Sequence, residues 1–177
     1  LYTALWKKVD KVVDNSPAFG DNCLTQTKFR SQTMLIGEYQ HTLDPKKRLA
    51  IPSKVRKEMG ETAVLTRGLD NCLSLYPMHE WQKLTEKLSQ LPVGQGNTRS
   101  FSRLMLAGAV EVELDQLGRI LIPDYLKTYA GLKQKVVIAG VYNRLEVWDE
   151  ERWNTYKADV EKNTDMIAEK LGEMGLY

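Results

Sequence analysis

The sequence predicts an α+β fold in which two copies of a small β-rich unit pair about a pseudo-twofold axis and share one barrel. Three observations support this prediction: an internal repeat, strands marked by alternating apolar residues, and equivalent turn and helix signals in both copies. One unit of four short strands and a small helix has too little apolar core to fold alone. Two copies in one chain solve this problem as a homodimer does.

The repeat relates residues 37–84 to residues 108–156, with one residue inserted in the second copy. Twelve of the 48 aligned positions are identical, in one order and with one gap, which chance rarely produces. The identical pairs are Gly37/Gly108, Leu43/Leu114, Asp44/Asp115, Arg48/Arg119, Ile51/Ile122, Pro52/Pro123, Gly60/Gly131, Val64/Val136, Gly68/Gly140, Asn71/Asn143, Leu73/Leu145 and Trp81/Trp153. These copies are called the first and second repeats below.

Each repeat is predicted to begin with a strand and a turn. In the second repeat, apolar residues at 110, 112 and 114 alternate with Glu111 and Glu113, which is the period of a half-buried strand. The sequences DPKK in the first repeat and DQLG in the second combine Asp with Pro or Gly, which is turn chemistry. A second short strand is then predicted in each repeat, at 48–51 and 119–122.

Proline and glycine delimit a short predicted helix in each repeat. Pro52 and Pro123 end the second strand and suit the first turn of a helix, while Gly60 and Gly131 suit its end. The predicted helices lie between these residues, at 53–59 and 124–130. Two more strands and a longer helix then complete each repeat.

The chain is predicted to divide into five segments. Residues 1–33 lie outside the repeat and are expected to be a poorly ordered extension with no role in the fold, because the second half of this segment carries few branched apolar residues. The other segments are the first repeat at 37–84, a helical and loop connector at 85–107, the second repeat at 108–156, and a C-terminal helix and tail at 157–177. The last segment continues a long helix that is predicted to start near Asp149.

Composition and short motifs exclude several classes of protein. No run approaches the roughly 20 apolar residues that cross a bilayer, and the N-terminus lacks the order of a signal peptide, which indicates a cytoplasmic chain. The two cysteines lie far apart, and no paired Cys or His suggests a metal. The sequence shows no glycine-rich phosphate loop and no nucleophile beside a base. We therefore expect no enzyme activity, no cofactor and no small-molecule substrate.

One basic segment is the predicted DNA-binding site. The net charge is only +2, so affinity for nucleic acid must come from a local patch. The segment Asp44–Lys57, DPKKRLAIPSKVRK, has six basic residues: Lys46, Lys47 and Arg48 at the predicted turn, and Lys54, Arg56 and Lys57 on the predicted helix. Side chains so placed contact several DNA phosphates, and the planar guanidinium of Arg48 also suits guanine O6 and N7.

The matching segment of the second repeat is electrically neutral, with two basic and two acidic residues from 115 to 128. Arg119 therefore either adds a second DNA contact or only braces its turn. A plainer interpretation also exists for the first repeat, because charged turns are usually solvated. Asp44 and Arg48 can pair across their own turn, which stabilises an exposed turn by well under ~1 kcal/mol.

The order of these motifs resembles one bacterial family. The stretch MLIGEYQHTLDPKKRLAIPSKVRKEMG from Met34, with VLTRGLDNCLSLYPMHEW, ELDQLGRILIP and VVIAGVYNRLEVW further on, closely resembles the MraZ family over about residues 34–160. The resemblance implies AbrB-like units that form a pseudo-twofold swapped-hairpin β-barrel. It also implies a sequence-specific DNA-binding transcription regulator of the division and cell-wall gene cluster. The resemblance further implies ring-like oligomers on the nucleoid that bind short repeated boxes in the promoter of their own operon.

The family motif D-x-x-x-R is carried here by Asp44/Arg48 and by Asp115/Arg119. The usual glycine before the arginine is kept as Gly118, but Lys47 replaces it in the first repeat. Because glycine adopts positive φ at little cost and lysine does not, the two turns are expected to differ in geometry.

Two other functions are open at this point. The basic turn also suits a protein-interaction or scaffold module that docks an acidic partner, and selective DNA binding above nonspecific competitor would argue against it. A small hydrolase or transferase would need a nucleophile and a base that the sequence does not offer. His41 is predicted to pack on the inner strand face rather than to act in catalysis.

Overall fold

The computed structural model describes residues 34–92 and 94–175. The predicted disorder of residues 1–33 lies outside the described residues. The strands are β1 (Leu35–Thr42), β2 (Arg48–Ala50), β3 (Thr62–Arg67), β4 (Leu73–Pro77), β5 (Val110–Glu113), β6 (Arg119–Leu121), β7 (Lys135–Tyr142) and β8 (Leu145–Asp149). The helices are α1 (Ser53–Met59), α2 (Met78–Ser89), α3 (Gly96–Leu106), α4 (Asp124–Ala130), α5 (Glu150–Lys162) and α6 (Thr164–Glu173). The described chain is therefore a mixed α+β protein.

The two short helices confirm the proline and glycine signals. Pro52 and Pro123 immediately precede α1 and α4, and Gly60 and Gly131 immediately follow them. Both glycines have positive φ, 76° and 60°, which side chains rarely adopt. The bounds of α1 and α4 are those predicted from the sequence.

The main sheet interleaves the two repeats. Its six antiparallel strands have the order β1-β7-β8-β4-β3-β5, and a separate two-stranded ribbon joins β2 to β6. The first strand of each repeat pairs with the third strand of the other, so that β1 lies on β7 and β5 lies on β3. The outer strands β1 and β5 are the two edges of this sheet. The closed barrel predicted from the sequence is therefore not seen, because no strand pairing joins these two edges in the described chain.

The pairings in the middle of the fold are symmetric about one axis. Ser74 faces Glu146 at the centre of the β4–β8 pair, and Leu49 faces Ile120 at the centre of the β2–β6 ribbon. Each of these residues is matched with its own equivalent in the other repeat. The predicted pseudo-twofold relation is present at both places.

The strand registers correct one part of the sequence alignment. Leu75 pairs with Leu65 in the first repeat, while Val147, which is equivalent to Leu75, pairs with Ile138 in the second. Leu65 is thus equivalent to Ile138, so the Val64/Val136 and Gly68/Gly140 matches are wrong by one residue. The second repeat has two extra residues before its third strand and one fewer in the following hairpin. A single gap placed by identity cannot represent two changes that partly cancel.

One apolar core joins the repeats. Leu49, Ile51, Ile120 and Ile122 have no solvent exposure, and all four belong to the same buried cluster. This cluster also contains inward residues of β3, β4, β7 and β8. Since each repeat supplies half of these contacts, neither repeat has a complete core of its own.

The helices that follow the two repeats differ. Met105 of α3 is buried in a small cluster with Tyr76 and Leu88, and its carbonyl accepts a 2.6 Å hydrogen bond from the Thr66 hydroxyl. In contrast, no residue of α5 or α6 is buried. The single long C-terminal helix predicted from the sequence is two helices, because the chain leaves helical geometry at Asn163 (φ −107°).

Within the described residues, no helix has both the length and the apolar character needed to cross a membrane.

Candidate nucleic-acid interface

The first turn, residues 44–48, is held closed by its own aspartate. The Asp44 carboxylate accepts hydrogen bonds from the Arg48 backbone N–H at 2.9 Å and from Arg48 Nε at 2.6 Å. The Asp44 N–H donates to the Arg48 carbonyl at 3.1 Å, and the Lys47 N–H donates to the Asp44 carbonyl at 2.9 Å. The motif D-x-x-x-R is therefore a clamp in which the aspartate fixes both the turn and the arginine.

The second turn, residues 115–119, repeats this arrangement. Asp115 accepts from the backbone N–H groups of Leu117 and Arg119, each at 2.9 Å. Arg119 Nε donates to the same carboxylate at 2.8 Å, and Arg119 Nη2 lies 2.7 Å from it. The predicted pairing of aspartate and arginine across the turn is thus present in both repeats.

These hydrogen bonds lower the pKa of both aspartates. For Asp44 the main cause is the Arg48 backbone N–H, and for Asp115 it is the Arg119 side chain. A carboxyl group whose pKa is lower in the folded state stabilises the fold above its unfolded pKa. That stability is lost as the pH falls through the folded pKa. Both clamps are therefore closed at neutral pH and weaken only in acid.

The residue before the arginine is lysine in the first turn and glycine in the second, but the expected difference in geometry between the two turns is wrong. Lys47 and Gly118 both have positive φ, 62° and 73°. The lysine Nζ donates to Asp124 Oδ2 of α4 at 2.7 Å, which anchors the first turn to the second repeat. At Gly118 a Cβ atom would overlap the Arg56 guanidinium, so glycine leaves room for Arg56. The backbone geometry is shared, while the surroundings differ.

Each turn is also fixed by the other repeat. The Ile51 N–H donates to the Gly118 carbonyl at 2.9 Å, and the Ile122 N–H donates to the Lys47 carbonyl at 3.0 Å. Since Ile51 and Ile122 directly follow β2 and β6, the turns lie at opposite ends of the β2–β6 ribbon. The ribbon and its two turns are one rigid unit built from both repeats.

The outer face of this ribbon carries both motif arginines. Leu49 and Ile120 are buried, so the residues on either side of them face away from the core. Arg48 lies opposite Leu121, and Arg119 lies opposite Ala50. The two arginines are therefore diagonal neighbours across the pseudo-twofold axis, with Cβ atoms roughly 7–8 Å apart by ordinary sheet geometry.

The basic segment of the first repeat is divided between the two turns. Lys46, Lys47 and Arg48 belong to the first turn, whereas α1 places Arg56 and Lys57 beside the second turn. Arg56 is braced by a 2.7 Å hydrogen bond from its Nε to the Ile51 carbonyl. The basic run is therefore spread along the ribbon, from the first turn to the second. Lys54 is exposed on α1.

The second repeat supplies the lysines beside the first turn. A groove of about 340 Å³, here called the first groove, is lined by Leu43, Asp44, Pro45, Lys47, Lys127, Lys133 and Gln134. Sequence reasoning counted Lys127 only with its own repeat and did not consider Lys133. The signal that would have placed them is strand exchange between repeats, which brings α4 and the start of β7 to the first turn.

An equivalent groove lies beside the second turn. This second groove, of about 760 Å³, is lined by Arg56, Lys57, Gly60, Glu61, Thr62, Glu113, Leu114, Asp115, Gln116 and Gly118. Six of its residues correspond by repeat position to residues of the first groove, namely Arg56, Glu61, Leu114, Asp115, Gln116 and Gly118. The two grooves therefore occupy equivalent positions about the pseudo-twofold axis, but their lining residues differ.

The described residues contain no arrangement typical of catalysis. Burial raises the pKa of the Cys72 thiol to about 12, so this buried free cysteine is not a nucleophile at neutral pH. His41 is half-buried on β1, and desolvation followed by the charge of Arg56 lowers its pKa. No group of three or more His, Cys, Asp and Glu in the described part of the chain is placed to hold a metal ion.

The site and fold define a two-repeat α+β protein with a pair of clamped arginine turns. The family model "MraZ protein, putative antitoxin-like" matches residues 34–104 and again residues 105–172. The chain is 49% identical over 138 residues to the transcriptional regulator MraZ of Natranaerobius thermophilus, covering 78% of this chain and 96% of that protein. It is 49% identical over 143 residues to the proteins of the same name from Acetivibrio thermocellus and Caldicellulosiruptor saccharolyticus, covering 81% of this chain and 100% of each. The chain belongs to the MraZ family, as two tandem copies of its domain.

Proposed function

We propose that this protein is a sequence-specific regulator of transcription that binds double-stranded DNA through the outer face of the β2–β6 ribbon and its two turns. The observation that carries the proposal is the pair of arginines held on one rigid ribbon by aspartates of their own turns. The names of the relatives, which are transcriptional regulators, support the same class of function.

The ribbon has the dimensions and the chemistry for the major groove. A two-stranded antiparallel ribbon fits there, and arginine binds guanine O6 and N7 through two donors. In both turns the aspartate takes Nε, and in the second turn it also holds Nη2, so that at least Nη1 of each guanidinium is left for a base. A side chain that is already fixed loses little conformational entropy on binding. This geometry favours Arg48 and Arg119 as base contacts rather than as general phosphate contacts.

The surrounding lysines suit contacts to the phosphate backbone. Lys46 and Lys54 make no ion pair with any described residue and are exposed. Lys57 is exposed as well, but it lines the second groove together with Glu61 and Glu113, which disfavour a phosphate there, so we assign it no phosphate contact. Lys47 is already paired with Asp124 and Arg56 with a backbone carbonyl, so we assign them supporting roles in shaping the turns. Phosphate contacts set position and contribute the salt-dependent part of affinity, while base contacts set the sequence.

We further propose that the protein acts as a ring-like homo-oligomer on repeated promoter boxes. Met166 and Ile167 of α6 are exposed, as is Met174 directly after it, and α6 buries none of its side chains. A helix of ten residues is only marginally stable by itself, so we expect α6 to pack against another protein surface. The groove between α2 and α3, of about 320 Å³, offers Leu88, Leu91 and Leu106 in a basic surrounding that includes Arg103.

We assign this groove to α6 of a second copy, because α6 carries three acidic residues against one lysine. The two contact surfaces are different, and head-to-tail contacts of this kind close into a ring when the rotation between copies allows closure. An oligomer that engages several boxes gains affinity through effective concentration, so each single contact can be modest. We also propose that the two repeats are AbrB-like units with swapped hairpins. The proposed target is the division and cell-wall gene cluster, and the proposed location is the cytoplasm, in association with the nucleoid.

The oligomer is tested by light scattering after gel filtration. Ile167→Asp should give a smaller particle, because a charge would enter the apolar groove. Asp165→Asn, on the opposite face of α6, should leave the particle size unchanged. Equal sizes for wild type and Ile167→Asp would remove α6 from the interface.

DNA binding is tested by selection from a pool of random duplexes in the presence of nonspecific competitor. The wild type is expected to enrich a short common sequence, and Arg48→Ala is expected to enrich none as strongly. Failure of the wild type to enrich any sequence would contradict the proposal and favour a scaffold that docks an acidic protein. Melting curves of both proteins would show that the variant is folded.

A further inference from the structure

The two grooves beside the turns carry different charge, although they occupy equivalent places. The first groove is lined by three lysines and one aspartate, which gives a formal charge of +2. The second is lined by one arginine and one lysine against Glu61, Glu113 and Asp115, which gives −1. The pseudo-twofold axis therefore relates a basic groove to a weakly acidic one.

Lys127 is the uncompensated charge of the first groove. Lys47 is paired with Asp124, and Lys133 donates to Glu151 at 2.6 Å. The groove's one carboxylate, Asp44, is engaged by Arg48. Lys127 makes no ion pair with any described residue, so its ammonium group has an open position beside the first turn.

The second groove lacks such a cation. Arg56 is equivalent to Lys127, but its guanidinium lies against Gly118 and donates to the Ile51 carbonyl. Lys57 remains, and it lines the groove together with Glu61 and Glu113, neither of which makes an ion pair with a described residue. A phosphate placed in the second groove would therefore meet two carboxylates.

We propose that Lys127 binds a backbone phosphate of DNA in the first groove, and that the second groove holds none. This inference rests on the proposed DNA binding and adds a residue of the second repeat to the contact made by the first. It assigns the ligand chemistry, a phosphodiester, to one end of the ribbon only. The end of the ribbon at the first turn then binds DNA more tightly than the end at the second turn, although the fold is nearly symmetric.

The test is the salt dependence of binding, measured by anisotropy with a fluorescent duplex enriched by the wild type from a random pool. The full chain is used, with Lys127→Gln compared with Lys57→Gln, which removes a lysine from the second groove. Each phosphate contact contributes about 0.9 to the slope of log K against log salt. Lys127→Gln should reduce the slope by about that amount, and Lys57→Gln by less than half of it.

Two further variants separate charge from structure. Lys127→Arg should restore the wild-type slope, because it keeps the cation. The double variant Glu61→Gln, Glu113→Gln should strengthen binding and steepen the slope, since it opens the second groove to a phosphate. Equal slopes for wild type and Lys127→Gln, or equal losses for Lys127→Gln and Lys57→Gln, would overturn the inference. A wild type that binds no DNA would overturn the proposed function as well, which distinguishes the two failures.

Discussion

The first and second turns have the same backbone and the same aspartate–arginine clamp, but they stand in different surroundings. The first turn has a lysine at its positive-φ position and lies beside lysines of the second repeat. The second has glycine there and lies beside Arg56 and three carboxylates. The comparison shows that the clamp is the shared structural element, while much of the charge around each clamp comes from the partner repeat.

The largest expected difference between the turns is in DNA affinity. Loss of a two-donor contact to guanine costs about 1–3 kcal/mol, or roughly five- to 150-fold in Kd. We expect Arg48→Ala and Arg119→Ala both to weaken binding in this range, measured by anisotropy on the selected duplex. Arg48→Ala should cost more, because its end of the ribbon also holds the lysines. Equal losses would show that the two ends act alike.

Gly118→Ala should affect stability rather than recognition alone. A side chain at φ 73° is strained, and its Cβ would overlap the Arg56 guanidinium. Strain of this kind costs about 1–3 kcal/mol. Urea unfolding should show this loss, and the difference between Lys47→Ala and Lys47→Gly, at the equivalent position of the first turn, isolates the part that comes from positive φ alone.

Lys47→Gly, the reverse change in the first turn, should have a smaller effect. Glycine would relieve left-handed strain of roughly 1–2 kcal/mol. It would also remove the exposed pair with Asp124, which contributes well under ~1 kcal/mol. The free energy of unfolding should therefore stay the same or rise slightly. A clear loss in urea unfolding would mean that the Lys47–Asp124 pair stabilises the turn more than its exposure suggests.

The smallest expected effect is a pH dependence confined to the first repeat. Burial lowers the pKa of His41, so the unfolded chain binds a proton more readily than the folded one. Stability should therefore fall as the pH drops below about 6.5, the usual histidine value. His41→Val copies Val112 of the second repeat and should remove this loss. Melting temperatures of both proteins between neutral and mildly acidic pH provide the check.

Local signals predicted the elements well. Pro52 and Pro123 before the short helices, with Gly60 and Gly131 after them, gave their bounds to the residue. The clamp could also be anticipated, because Asp and Arg four residues apart can meet across a turn. Such features depend on neighbours in sequence, which a single chain displays directly.

Features that depend on strand exchange were not accessible in the same way. The sequence places Lys54, Arg56 and Lys57 next to Lys46, yet α1 lies beside the second turn. Lys127 belongs to a neutral segment of the sequence, yet it lines the first groove. The open sheet likewise follows from the pairings of β1 and β5, which no local pattern specifies. The charge beside each turn therefore depends on residues that are distant from that turn in the sequence.

The most direct test of the account is methylation interference on the selected duplex. Dimethyl sulfate methylates guanine N7 in the major groove, where Arg48 is proposed to bind. The wild type should be blocked by methylation at specific guanines, and Arg48→Ala should lose interference at some of these while Lys57→Gln keeps all of them. An interference pattern that is identical for wild type and Arg48→Ala, or that contains no guanine, would contradict the assignment of the clamped arginine as a base contact.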